Sequence, residues 1–159
     1  MEIYRKILLA VDGSKDSMRA AKTILEIKKK FGSKVVAFYA IENYSFPKII
    51  MPSAPIIYSA GHKVSKLDFI ERRNYLEKKA IKILNQTLNI FKAENLSIET
   101  KIIFDESPED YVERIVEEQN FDLVALGYRG KHSKLKQIFT GSIAQKLLND
   151  APCDILVVR

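Results

Sequence analysis

The sequence predicts an α/β protein: a single open parallel sheet with helices on both faces. Short, nearly uninterrupted apolar runs recur along the chain, at residues 5–12 (RKILLAVD), 35–41 (VVAFYAI), 123–126 (LVAL) and 153–158 (CDILVV). Such runs mark strands buried on both faces, which is the condition of a parallel sheet under helices. Between them lie stretches with helical spacing, so strand and helix alternate as they do in βαβ units. Glycine or an Asx-Gly pair stands at several of the handovers, as at Asp12-Gly13 and Gly127. At 159 residues the chain is expected to form one domain, 1–159, with room for a sizeable core.

Each element has its own signal. Strand 1 ends in Asp12-Gly13-Ser14, where Ser14 is a helix N-cap, and Ala20, Ile24, Ile27 and Phe31 then fall on one helical face. Gly32 stops that helix, and residues 35–41 form the second strand. From residue 43 to 62 (NYSFPKIIMPSAPIIYSAGH) the pattern breaks, and Pro47, Pro52 and Pro55 exclude a central strand or a long helix there. Two readings of this apolar connection stand side by side: a loop folded back over a helix, or a surface that covers a ligand or meets a partner. A long helix over about 65–95 follows, with Ile81, Leu84, Leu88 and Phe91 inward. Leu96, Ile98, Thr100 and Ile102 then alternate with polar residues, which predicts a half-exposed strand at a sheet edge. Ser107-Pro108-Glu109-Asp110 is a helix start with its cap, first-turn proline and carboxylates in place; Tyr111, Val112, Ile115 and Val116 give the inner face. The fourth strand, a helix through Ile143, Ala144, Leu147 and Leu148, and the final strand complete the chain.

Composition narrows the function classes. With 47% apolar and 29% charged residues the chain is globular and not disordered. No apolar run reaches membrane-spanning length and no signal-peptide pattern opens the sequence, so a cytoplasmic protein is expected. The one cysteine, Cys153, cannot form an internal disulfide or a cysteine metal cluster, and reads as a small hydrophobe. The net charge of +6 raises nucleic-acid binding. The lysines, among them Lys28, Lys29, Lys30, Lys78, Lys79 and Lys82, nevertheless alternate with Glu26, Glu71 and Glu77 in the manner of a solvated face.

The chemistry concentrates in residues 123–142 (LVALGYRGKHSKLKQIFTGS). A buried strand hands over to Gly127 and Gly130, then to a basic loop with Arg129, Lys131, His132 and Lys134, and Gly141-Ser142 opens a helix. Glycine permits close backbone approach and positive φ, and a helix start presents unpaired N–H groups to an anion such as phosphate. The loop is not a Walker A sequence, nor is it GxGxxG after the first strand. It resembles the G-x2-G-x9-G-[ST] signature of the universal stress protein family, in particular its ATP-binding branch, with ten residues in place of nine between Gly130 and Gly141. The extra residue falls within 131–134, the segment expected to hold phosphates. The likeness extends over the whole chain, from KILLAVDGS to the terminal LVV.

The resemblance implies the strand order 3-2-1-4-5 and a crevice between strands 1 and 4, where ligands bind in open α/β sheets. It implies ATP as ligand and Ala10, Val11, Asp12, Ala40, Leu126, Gly127, Arg129, Gly130, Gly141, Ser142 and Ile143 as nucleotide-binding residues. Asp12 would hold the ribose hydroxyls, although by itself an aspartate in Asp-Gly-Ser is equally a turn-former. No catalytic residues and no protein metal ligands are expected, so any Mg²⁺ would be held mainly by the phosphates. Family likeness and the uninterrupted apolar strand at 153–158 together predict a homodimer paired through that edge. The function expected is a nucleotide-dependent switch or partner-binding module in stress response. The alternatives are a slow ATPase or adenylate-forming enzyme of the same superfamily, and the same fold without nucleotide.

Overall fold

The computed structural model describes residues 3–45, 56–58, 62–64, 66–129 and 142–159. Five parallel strands, β1 (Lys6–Ala10), β2 (Lys34–Ile41), β5 (Glu99–Phe104), β6 (Leu123–Gly127) and β7 (Asp154–Val158), form one sheet in the order β5-β2-β1-β6-β7. Counted along the chain this is 3-2-1-4-5. The central strand β1 is in register with β2 (Leu8 opposite Val36) and with β6 (Leu8 opposite Val124). Alternation along the strands divides the core in two. Ile7, Leu9 and Val11 meet Ala20, Ile24, Ile83 and Phe91 from α1 (Lys15–Phe31) and α2 (Lys66–Lys92) on one face. Leu8, Phe38, Val124 and Leu126 meet Tyr111, Val112, Ile115 and Leu147 from α3 (Pro108–Gln119) and α4 (Ser142–Asp150) on the other.

The helix ends follow their sequence signals. Ser14 Oγ accepts from the Ser17 N–H at 3.1 Å, and Gly32 closes α1 at φ 72° with its N–H on the Lys28 carbonyl. Ser107 Oγ accepts from the Asp110 N–H at 3.2 Å with Pro108 next in line, and Asn120 ends α3 at φ 53°. All four residues expected on the inner face of α3 are buried.

Several inward assignments need correction. Phe31 and Ile81 are exposed, and so is Leu148, which the pattern placed on the helix without a face. In α2 the buried stripe is Ala80, Ile83, Leu84, Thr87 and Phe91, shifted round the helix from Ile81 toward residues whose small size or hydroxyl hid the stripe. The Thr87 hydroxyl is accommodated by donating to the Ile83 carbonyl at 3.0 Å. Phe31 is the last residue of α1, and Leu148 lies in the last turn of α4. The edge strand β5 starts only at Glu99, so Leu96 and Ile98 precede it and Thr100 is exposed; Ile102 packs on one core cluster and Ile103 on the other.

The irregular stretch also holds a feature that its prolines concealed: a hairpin of β3 (Ile56–Tyr58) and β4 (His62–Val64), antiparallel and outside the main sheet. The rest of residues 46–61 lies outside the described residues. Its beginning is anchored. Tyr44 stacks on Phe104 at 4.4 Å between centroids, lies under the Arg73 guanidinium at 4.1 Å and donates to Glu77. Ser45 donates its N–H and hydroxyl to Asp105, which holds that carboxyl below its ordinary range.

Candidate functional site at the sheet's switch point

From β1 the chain crosses through α1 to β2 on one side, whereas β6, on the other side of β1, leads to α4 on the opposite face. The carboxyl ends of β1 and β6 therefore part company, and a crevice opens where their connections diverge. Alternation puts Ala10, Ala40 and Leu126 on the α3/α4 face, with Ile143 from the first turn of α4 packed against the same cluster. Two alanines at adjoining strand ends leave more room there than any larger residue would. Since α4 runs back along the sheet, its N-terminus stands at this same edge, presenting N–H groups with the positive end of its dipole. Val11 belongs to the other face: its side chain is in the α1/α2 core, and its N–H bonds the Phe38 carbonyl at 3.0 Å.

Asp12 follows directly. Its Oδ1 accepts from the Ser14 N–H at 2.9 Å, an Asx turn, and its own N–H donates to Ser17 Oγ at 3.1 Å. The turn-forming role is thus present. A carboxylate has acceptor capacity on both oxygens, so the turn is compatible with holding hydroxyls as well. Ser17 is the residue that sequence reasoning passed over: only 2% exposed, it ties the end of β1 to α1. Its signal was a polar side chain three residues before Ala20 on an otherwise apolar stripe. Tyr39 was passed over as well. Burial, then the negative charge of Asp12, then Tyr75, push its phenol above the ordinary value, so it stays a neutral donor at physiological pH.

Gly127 has a packing reason. A Cβ there would lie 2.5 Å from the Ser17 amide nitrogen and 2.7 Å from the Asp16 carbonyl carbon, so the first turn of α1 sits directly on this glycine. The exit of β6 is pinned on both sides: the Arg129 N–H donates to Asp16 Oδ2 at 3.1 Å and the Tyr128 N–H to the Val158 carbonyl at 2.7 Å. The Arg159 guanidinium covers the Tyr128 ring at 4.4 Å. Gly130, Lys131, His132, Lys134 and Gly141 lie outside the described residues, as does the side chain of Ser142, so the basic loop and its ten-residue spacing have no described geometry.

Among the described residues no group of His, Cys, Asp and Glu is arranged to hold a metal ion, and no helix is long and apolar enough to cross a membrane. Cys153 is half-buried, and burial with the charge of Asp154 raises its thiol pKa, which keeps it protonated and inert.

The sequence profile of the universal stress protein family matches residues 3–159. The chain belongs to the universal stress protein family. One relative is a universal stress protein of Methanocaldococcus jannaschii, 26% identical over 157 residues, which cover 99% of this chain and 83% of that protein. Among solved structures, universal stress protein UspA from Lactobacillus plantarum superposes with a TM-score of 0.76 at 21% identity, over 98% of each chain. The universal stress protein from Archaeoglobus fulgidus in complex with dAMP gives 0.66 at 18% identity, over 99% of this chain and 98% of that one. A family member from Arabidopsis thaliana with AMP bound gives 0.63 at 17%, over 96% and 90%. At these identities the structural likenesses establish the fold of this universal stress protein and leave its ligand to its own residues.

Proposed function

We propose that this universal stress protein binds an adenine nucleotide at the switch point, as a member of the ATP-binding branch, and serves as a nucleotide-dependent switch or partner-binding module of one domain. The observation that carries the reading is the convergence of Ala10, Asp12, Ala40, Leu126 and the start of α4 at the one sheet edge where two connections diverge. In this reading the alanines and Leu126 make the base pocket, Asp12 accepts from the ribose hydroxyls, and the phosphates lie toward Gly130, Gly141, Ser142 and Arg129. Mg²⁺, when present, would ride on the phosphates. The dAMP and AMP complexes of two similar structures support adenine nucleotides as the ligand class. Mass spectrometry of the protein as purified from cytoplasm under native conditions is expected to release AMP, ADP or ATP. Ligand-free protein that also takes up none of the three on incubation would overturn the reading.

The same reading includes a homodimer. Among the described residues β7 pairs with β6 alone, and Ile155, Leu156, Val157 and Val158 are half-buried. Because the Val158 carbonyl faces β6 and takes the Tyr128 N–H, alternation turns the N–H and C=O of Val157 toward the open edge. Two copies pairing antiparallel across a two-fold axis would satisfy that edge. Light scattering at tens of micromolar is expected to give twice 18.2 kDa. Val157→Pro removes an outward donor without touching the β6 ladder, and should shift the protein to monomer at an unchanged fold by circular dichroism. A dimer that survives this substitution would refute pairing through β7.

A further inference from the structure

On the α1/α2 face, away from Ala10, Ala40 and Leu126, lies a groove of about 450 Å³ that the nucleotide reading does not use. Its floor is Gly13 and Ile83, and its wall is one face of α2 carrying Tyr75, Lys78, Lys79 and Lys82, with Gln86 a turn further on. Gly13 is in the left-handed region at φ 79°, and a Cβ there would meet Ile83 Cδ1 at 2.9 Å, so the turn sits down on α2 and shapes the concavity.

Several basic side chains elsewhere on the molecule are paired with carboxylates. Lys29 reaches Glu94 at 3.0 Å and Glu26 at 3.6 Å, Arg114 reaches Glu106 and Glu118, and Lys146 reaches Asp110 and Glu113. The ion pairs among the described residues bypass Lys78, Lys79 and Lys82. The glutamate next to them in sequence, Glu77, is drawn off to Tyr44 on another side of the helix. Lys78 and Lys82 are exposed, as a solvated lysine face requires, and within it these three lysines stand apart from Glu77.

We infer that this groove is a binding site for an oligophosphate anion. Three ammonium groups within two turns match a compact ligand with closely spaced negative charges, and ammonium is a strongly hydrated point charge suited to phosphate oxygens. The Tyr75 hydroxyl and the Gln86 amide add donors. The volume falls in the range of small-molecule sites. Nucleic acid would need a longer basic track with stacking platforms, whereas the basic lining here is confined to Lys78, Lys79 and Lys82. The site goes beyond the nucleotide reading and stands on different residues.

The test is calorimetry of the full chain with inorganic tripolyphosphate at about 0.15 M salt, where exposed charges farther apart than roughly 8 Å are screened. One site per chain is expected. Lys78→Gln, Lys79→Gln and Lys82→Gln together should weaken it about ten-fold, the scale of three exposed charge pairs. The charge-matched control, Lys22→Gln, Lys34→Gln and Lys92→Gln, removes three exposed lysines elsewhere and should leave binding within about two-fold. Absence of binding to the wild type, or equal loss in the two triple variants, would overturn the site. The groove variant should leave AMP binding intact, so that failure of one site is read separately from failure of the other. If ATP, unlike AMP, weakens in the groove variant, the phosphates belong to a nucleotide tail; if both nucleotides are unchanged, the ligand is free oligophosphate.

Discussion

Asp12→Ala is expected to weaken binding of AMP and ATP to this universal stress protein about ten- to a hundred-fold. Hydrogen bonds to a charged acceptor contribute roughly 1.5–3 kcal/mol, which converts to that range of affinity. The substitution also removes the acceptor for the Ser14 N–H. That loss belongs to a half-buried turn and should lower the thermal midpoint by about 2–4 °C, the scale of 1 kcal/mol in a domain of this size. The Ser17 hydroxyl still accepts from the backbone N–H of residue 12, so the end of β1 keeps its place over α1. Titration calorimetry beside a thermal melt separates the two effects. Equal nucleotide affinity in mutant and wild type would leave Asp12 as a turn-former alone.

The second large effect is on stability. Gly127→Ala puts a methyl group 2.5 Å from the backbone nitrogen of Ser17 and 2.7 Å from the carbonyl carbon of Asp16. Neither atom can swing aside as a side-chain tip would, so the first turn of α1 must move. Overpacking of this kind costs about 1–3 kcal/mol, or about 2–12 °C in midpoint for a domain of this size. Gly32→Ala is the contrasting case. A Cβ at Gly32 meets nothing within 4 Å, and the cost is only that of φ 72° in a non-glycine residue, about 1–2 kcal/mol. A Gly127→Ala protein as stable as the wild type would show that α1 does not rest on β6 in this way.

Gly127 also illustrates how far the sequence could be read. Its position at the end of a buried strand was visible, and so was a reason for glycine: close approach. What approaches it, the first turn of α1 more than a hundred residues earlier, depends on strand order, which no local pattern encodes. The local signals were strong where a single residue carries the physics. Ser14, Gly32, Ser107 and Pro108 mark helix ends by capping chemistry, and the structure has the helices begin and stop there. Signals failed where two helical stripes compete. In α2, Ile81 outranks Ala80 and Thr87 in hydrophobicity, yet Ala80 and Thr87 are buried and Ile81 is not, because fit against the sheet selected the stripe. The segregation of Lys78, Lys79 and Lys82 from Glu77 was hidden for a related reason, since neighbours in a helical sequence stand about 100° apart around the axis.

For the site, the switch point follows from the order β2-β1-β6, and Ala10 and Asp12 could be placed on it from the sequence because one ends β1 and the other follows two residues later. Ser17 and Tyr39 could not, since one is read as helix and the other as strand until the turn at Asp12 brings them together.

The most direct test of the account is titration calorimetry of the wild-type chain with AMP, ADP and ATP at up to millimolar ligand, with a thermal shift measured alongside. The account predicts saturable binding of all three at one site per chain, and a rise in midpoint with each. Binding of AMP alone would show that the ten-residue spacing between Gly130 and Gly141 has disabled the phosphate site. No heat and no shift with any of the three would contradict the central claim that this switch point is a nucleotide site.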